Sequence, residues 1–400
     1  VLLKGIKVLD CGSYVAGPAA ATVMADFGAD VIKIEPPGGD PYRGLLARRP
    51  DGVIDFFWDM DARNKRSLCL DIKKPKGREI LDALIGETDV FLTNFRPQLL
   101  DRLQLGFEHV KAMNEKVIYA QVNSFGLSGA DRNRTGFDIT AWWARSGLAD
   151  FVRRPSSLVA HSAPGMGDHA TSMSLFGGIM AALYRREKDG LGSHVHTSLL
   201  ANGVWAHSMM VQGGLAGFDR SQQRSDEDMY RNPMGGIYRT RDERLVLLNI
   251  LNPDKEWNNF ATAIGRENWL TDPRFDDSAE RRKNAVALSD ELIDTFASND
   301  GDHWQRQLDR FEITYNLVAR MEDLLVDPQV FDNDILTPVS DETLPYTHTV
   351  NSPVWLSDVK KVPHRQAPDI GQHSREILAS IGIDDAEIDV LLAEDVVRST

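Results

Sequence analysis

The chain of 400 residues holds only two cysteines, Cys11 and Cys69. Both lie in apolar, strand-like runs, so a disulfide framework is excluded and two buried free thiols are expected. No run of about 18 apolar residues occurs, the minimum for a membrane-spanning helix. The N-terminal VLLKGIKVLDCG lacks the basic region, long apolar run and cleavage site of a signal peptide. These absences predict a soluble chain in a reducing compartment, the cytoplasm, with no membrane partner. Basic charge is also scarce, since 45 Lys and Arg face 59 Asp and Glu, a formal net charge of -14. A nucleic-acid surface needs clustered cations to displace counterions, so no nucleic-acid partner is expected. A local phosphate pocket remains compatible with that balance.

Several catalytic signatures are missing. Glu35 ends the second strand-like run, where dinucleotide-binding folds place a ribose-binding acid, yet the first turn reads CGSYVAGPAA and holds no G-x-G-x-x-G. No P-loop, no G-x-S-x-G elbow and no papain-like cysteine motif is present. His194 and His196 in HVH fall on one face of a strand, but two imidazoles without a third ligand read as a structural strand, and no metal is expected.

What is present is an alternation of strand and helix patterns. Residues 5–12, 29–35, 66–73, 89–95 and 116–126 read as strands, and 19–28 and 76–87 as helices between them. Such spacing implies parallel pairing with right-handed crossovers, hence an open α/β sheet. Residues 136–147 and the stretch PGMGDHATSMSLFGGIMAAL (164–183) read as helices, and 192–200 as a further strand. Gly177 and Gly178 inside the long helix each cost roughly 1 kcal/mol against Ala, which predicts close backbone packing there. A Gly-, Ser- and Asp-rich stretch then marks a linker or loop at 214–236. From 237 to 325 a hairpin turning at Arg241 to Glu243, with helices near 254–265, 279–297 and 301–311, reads as a smaller α+β domain. Residues 1–213 and 326–400 flank it, the latter ending in two amphipathic helices.

Asp168 carries two readings at the start of the long helix. An acid after Gly167 and before a helix is a favoured N-cap, accepting first-turn N–H groups and meeting the positive end of the dipole. A nucleophilic carboxylate needs similar surroundings, ionised, reachable through a glycine turn and close to N–H donors. His169 points to a different side of the helix, so it forms no dyad with Asp168.

Seven ordered landmarks then carry a resemblance across nearly the whole chain: residues 3–43, 64–81, 89–106, 122–129, 167–200, 272–275 and 367–378. They resemble the family III CoA-transferases (CaiB/BaiF), the group of formyl-CoA and carnitine CoA-transferases that also includes the α-methylacyl-CoA racemases. The resemblance implies a Rossmann-like large domain formed by both chain ends, a smaller inserted α+β domain, and a homodimer of interlocked rings. It implies Asp168 as the nucleophile and CoA as substrate, with a carboxylic acid as the other substrate and no prosthetic group. For CoA the matching positions are Val15, Ala16, Leu70, Lys73, Asn94, Phe95 and Arg102, with Arg96 or Lys74 as alternative phosphate ligands. Gly235 and Gly236 match a mobile glycine cover or oxyanion donor, and Tyr14 and Phe137 an acyl pocket. Racemases of the group use a His where this chain has Phe137, and a proton transfer at the α-carbon needs that base. Transfer is therefore expected rather than racemisation.

Overall fold

The computed structural model describes residues 1–45, 55–154, 156–218, 232–340, 342 and 344–400. Of the expected linker at 214–236, positions 219–231 lie outside the described residues. The alternating pattern becomes a parallel sheet of β1 (Lys7–Asp10), β2 (Asp30–Glu35), β3 (Arg66–Leu70), β4 (Val90–Thr93), β5 (Ile118–Asn123) and β6 (Ser193–Ser198). Their order is β3-β2-β1-β4-β5-β6, and the C-terminal strand Val397–Arg398 adds antiparallel to β3 at the edge. Sequence periodicity did not separate that two-residue strand from the helix before it. The central strands β4 and β5 are buried throughout, as parallel strands covered on both faces must be, and therefore read as continuous apolar runs.

Each face of the sheet has its own core. On one, the helices Ala16–Asp26 and Met166–Asp189 bring Met24, Leu175, Phe176 and Ile179 against Val90, Leu92 and Ala120. On the other, Leu81 and Ile85 of the helix Pro75–Glu87 join Val110 and, from the two C-terminal helices Ser374–Ser380 and Asp385–Ala393, Ile377 and Ile388. Fully burying each such side chain contributes about 1.5–3 kcal/mol. Both chain ends thus serve one sheet.

Three local expectations are corrected. A Cβ on Gly178 would lie 2.6 Å from Val195 of β6, so close packing explains that glycine, but one on Gly177 would meet nothing within 4 Å. Residues 136–147 contain a π-helix, Ile139–Arg145, whose wider turn stacks Trp142 on Trp143 at 6.1 Å between centroids. The helix at 279–297 is two, Ser278–Lys283 and Ala285–Ala297, meeting at Asn284.

By compactness the chain divides into one unit of Val1–Arg153, Val159–Gln212 and Phe331–Thr400 and another of Arg154–Leu158 and Gly213–Val330. In the second, Ile237–Arg239 and Leu245–Leu248 pair as the antiparallel hairpin, and Tyr315–Leu317 adds beside the latter. Its core is aromatic, with Trp257, Phe260, Trp269, Phe275, Phe296 and Trp304 all buried.

Candidate active site

Strand order reverses between β1 and β4, so the chain departs in opposite directions beyond their carboxyl ends and leaves a crevice, the usual ligand position in such sheets. The segment leaving β1 is held there by a reciprocal pair: the Ser13 N–H donates to Asn94 Oδ1 at 2.9 Å, and Asn94 Nδ2 donates to the Ser13 carbonyl at 2.6 Å. Tyr14 follows with φ 60°, a left-handed backbone that a bulky residue adopts only when its surroundings impose it. Its N–H donates to Asp40 Oδ1 at 3.2 Å. Its ring meets that of Phe137 edge-on at 5.6 Å and 84°.

Here lies a cavity of about 230 Å³. It gathers Tyr14, Val15, Ala16, Asn94, Phe95 and Phe137 from the expected site, together with Asp168. Arg96, Arg132 and Arg134 line it too, all with exposed side chains. Leu70 instead is buried in the core of the opposite sheet face, and Lys73 and Arg102 are exposed and do not line the cavity. Gly235 ends a short 3-10 turn, Pro233–Gly235, and Gly236 follows it, both in the second unit. Trp142 and Trp143 are core residues outside the cavity lining.

Asp168 is the third residue of the helix Met166–Asp189, not its cap. Gly165, with φ 74°, occupies the cap position and offers no side chain. Gly167 lets the helix start approach the π-helix, since a Cβ there would sit 2.6 Å from the Trp142 ring. No hydrogen bond or ion pair to the Asp168 carboxylate occurs among the described residues. Burial above all, then the nearby Asp138 carboxylate, push it up to about 7, while His169 opposes the rise. The N-cap reading of Asp168 is corrected accordingly. Asp138 itself accepts the Ile139 N–H on Oδ1 at 2.7 Å, and its Oδ2 is buried without a partner.

His169 does belong to a carboxylate, but to one 108 residues away: Nε2 is 2.9 Å from Asp61 Oδ1. Asp61 Oδ2 in turn accepts the Tyr42 hydroxyl at 2.9 Å. Burial works against the charged imidazole, and Asp61 more than offsets it, so the His169 pKa is raised. No local pattern announces this group. Glu35 takes a bidentate Arg43 at 2.7 and 2.8 Å and the Ser67 hydroxyl at 2.7 Å, which commits it to structure. His194 stacks on Phe107 at 4.7 Å and faces Gln121. Among the described residues no group of three or more His, Cys, Asp or Glu is placed to hold a metal ion, and no helix is long and apolar enough to cross a membrane. Cys11 and Cys69 are free and buried.

The model of CoA-transferase family III matches residues 3–374. The chain belongs to this family. With full-length relatives at 29–30% identity named CoA-transferases, it is a CoA-transferase enzyme. It is 29% identical over 401 residues to the (R)-2-hydroxy-4-methylpentanoate CoA-transferase of Clostridioides difficile, with 100% of each chain covered. It is 30% identical to the cinnamoyl-CoA:phenyllactate CoA-transferase of Clostridium sporogenes, covering 98% of this chain and 96% of the relative. A crystal structure from Mycobacterium tuberculosis superposes with a TM-score of 0.81 at 25% identity, covering 94% of this chain and 99% of that one. A CaiB/BaiF family protein from Brucella suis, 23% identical and covering 94% of this chain and 98% of that one, shares the fold with a TM-score of 0.82.

Proposed function

We propose that the chain moves CoA from an acyl-CoA donor to a carboxylic acid through covalent intermediates on Asp168. The observation that carries this reading is an unpartnered, half-buried carboxylate in the crevice of a family III CoA-transferase, raised to about 7. A carboxylate stripped of water and ion-pair partners is more basic, and so more nucleophilic, than one in solvent.

An Asp168 oxygen attacks the donor thioester carbonyl, the carbon–sulfur bond breaks, and a mixed anhydride and CoA thiolate result. The thiolate attacks the aspartyl carbonyl and expels the donor carboxylate, leaving an aspartyl-CoA thioester. The acceptor carboxylate attacks that thioester and again frees the thiolate, which takes the acceptor acyl group and returns Asp168 as a carboxylate. No net proton is exchanged, so only the ionised form starts the cycle. The first-turn N–H groups of Gly167 and Asp168, for which a helix has no internal acceptor, are assigned to the tetrahedral oxyanions.

Arg96, Arg132 and Arg134 at the cavity suit the phosphates of CoA, as do Lys73 and Arg102 from the resemblance. Val15, Ala16, Asn94 and Phe95 are assigned to the remainder of CoA, Tyr14 and Phe137 to the acyl group, and Gly235 and Gly236 to the cover, while Leu70, buried in the core, is not assigned to it. Relatives are named for 2-hydroxy-4-methylpentanoate, phenyllactate and citramalate. All three are 2-hydroxy acids, and we assign that class of acceptor to this chain. An interlocked homodimer accords with the helix Ser208–Leu215, in which no residue is buried. Two free thiols accord with a cytoplasmic location.

Hydroxylamine added during turnover with an acyl-CoA should convert Asp168 to a hydroxamate, read by peptide mass spectrometry. Absence of that label with every donor tried would overturn the mechanism.

A further inference from the structure

His169 belongs to a chain of side chains that the transfer steps leave unused. Its imidazole lies over Gly165, where a Cβ would come within 3.2 Å of Cε1 and Nδ1, so a residue without a side chain leaves it room. Nε2 reaches Asp61 Oδ1 at 2.9 Å, and Asp61, only 4% exposed, accepts the Tyr42 hydroxyl on its other oxygen at 2.9 Å. Burial and the Asp61 carboxylate push the Tyr42 pKa up, so that hydroxyl keeps its proton and donates. The Tyr42 N–H donates at 2.9 Å to Asp40 Oδ1, the same oxygen that takes the Tyr14 N–H. The chain thus runs from the turn that lines the cavity to the residue after Asp168. Among the described residues Asp61 makes an ion pair only with His169, and the neighbouring Arg63 is spent on Asp26 at 3.0 and 2.7 Å.

A buried carboxylate with a single cationic partner favours the charged form of that partner. Facing His169 are Asp61 and Asp168, which favour the imidazolium, and Arg63, which opposes it. Facing Asp168 are Asp138 and Asp61, which oppose its ionisation, and His169, which favours it. His169 is the cation of that set. Neighbours one apart on a helix make no hydrogen-bonded dyad, but attraction between charges needs no contact. We infer that the Tyr42, Asp61 and His169 chain is a positioning device for the nucleophile: it fixes an imidazolium one residue along the helix from Asp168, and that positive charge keeps the carboxylate ionised for attack on the thioester. The inference rests on the proposed covalent mechanism. His169 lies outside the cavity lining and transfers no proton in the cycle; it acts on Asp168 by its charge.

Three variants separate charge from shape. His169→Gln keeps a donor for Asp61 and removes the charge, His169→Lys returns a charge on a different side chain, and Asp61→Asn leaves the imidazole but removes the group that holds it charged. For each, kcat/KM for CoA transfer from 4-methylpentanoyl-CoA to 2-hydroxy-4-methylpentanoate is followed by mass spectrometry from about pH 5 to about pH 9. A close opposite charge lowers a carboxyl pKa by about 1–3 units, and water around the half-buried ring screens this toward the lower end. The acid limb, near pH 7 in the wild type, should therefore rise by about one unit in His169→Gln, a loss on the order of tenfold at pH 6. The rates should converge in alkali, where Asp168 is ionised in both proteins. His169→Lys should bring the limb back to its wild-type position. Asp61→Asn should raise it by less than His169→Gln does, since the opposing charge of Asp61 leaves together with the imidazolium. The inference is overturned if the limb stays in place in His169→Gln, or if His169→Lys leaves it displaced. It is equally overturned if a variant with the wild-type circular dichroism spectrum loses rate evenly at every pH, the mark of a chain that only braces the fold. Should His169→Gln fail to fold, the limb of Asp61→Asn decides alone, and an unmoved limb there overturns the inference. Failure of the underlying mechanism shows separately, as a wild type in which no acyl-CoA lets hydroxylamine label Asp168.

Discussion

Two groups of buried charge lie in the larger unit, one beneath the turn that follows β1 and one around Asp168. In the first, Asp10 meets Lys65 at 3.0 Å and Lys33 at 3.8 Å, and Lys33 meets Asp40 at 2.8 Å, all essentially inaccessible. The remaining valences go to the backbone: Asp10 accepts the Gly12 N–H, Lys65 donates to the Pro18 carbonyl and Lys33 to that of Gly12. Burial alone would raise the Asp10 pKa, and the two lysines outweigh it and hold it below the usual carboxylate range. In the second, among the described residues, Asp168 has no hydrogen-bond or ion-pair partner, and Asp138 Oδ2 and Asn123 Nδ2 are buried without one. The closed group spends every polar atom on shaping the Gly12 to Pro18 segment, which lays Tyr14, Val15 and Ala16 along the cavity. The open group leaves polar atoms unspent, and its Asp168 lines the cavity.

The contrast makes predictions of decreasing size. Asp168→Ala should lower CoA transfer by about 10⁴-fold or more, with an unchanged circular dichroism spectrum and retained CoA binding. A variant within tenfold of the wild type by mass-spectrometric assay would remove the open group from the chemistry. Lys65→Met strikes the closed group instead and strands Asp10 without one of its cations; urea unfolding should show a loss of about 3–5 kcal/mol. Were stability unchanged, the closed group would not be a structural unit.

Asp138→Asn removes the negative neighbour that helps raise Asp168. Lower pKa keeps the nucleophile ionised further into acid, so the acid limb of the kcat/KM profile, near pH 7 in the wild type, should move down by about one unit. An unmoved limb would leave burial as the whole cause. Asp168→Asn bears on stability. The folded carboxyl titrates at about 7 and the unfolded one at about 3.9, so ionisation penalises the folded state fully above the higher value and not at all below the lower one. The variant should therefore melt above the wild type at pH 8, and the gap should close as pH falls toward about 4. A constant gap would show that charge is not its origin.

How much of this was legible beforehand follows from the range over which each force acts. The alternation of apolar runs with helical spacing and the hairpin and helices of the smaller α+β unit are local properties, and they stand in the sequence from 5–12 through 301–311. Asp168 stood out because a glycine turn and a long helix bracket it. Tertiary structure alone decided that β1 and β4 diverge at the crevice and that the terminal residues Val397 and Arg398 pair with β3. It alone paired His169 with Asp61, and it moved Asp168 from cap to first-turn residue. Asn123 is the sharpest case. In the sequence it is one polar residue in VNSFG, and its unspent donor exists only because Gly126 takes its oxygen while folding buries its nitrogen. Propensity and periodicity are carried by neighbours along the chain, whereas the presence or absence of a hydrogen-bond partner is set by whatever folding brings across space.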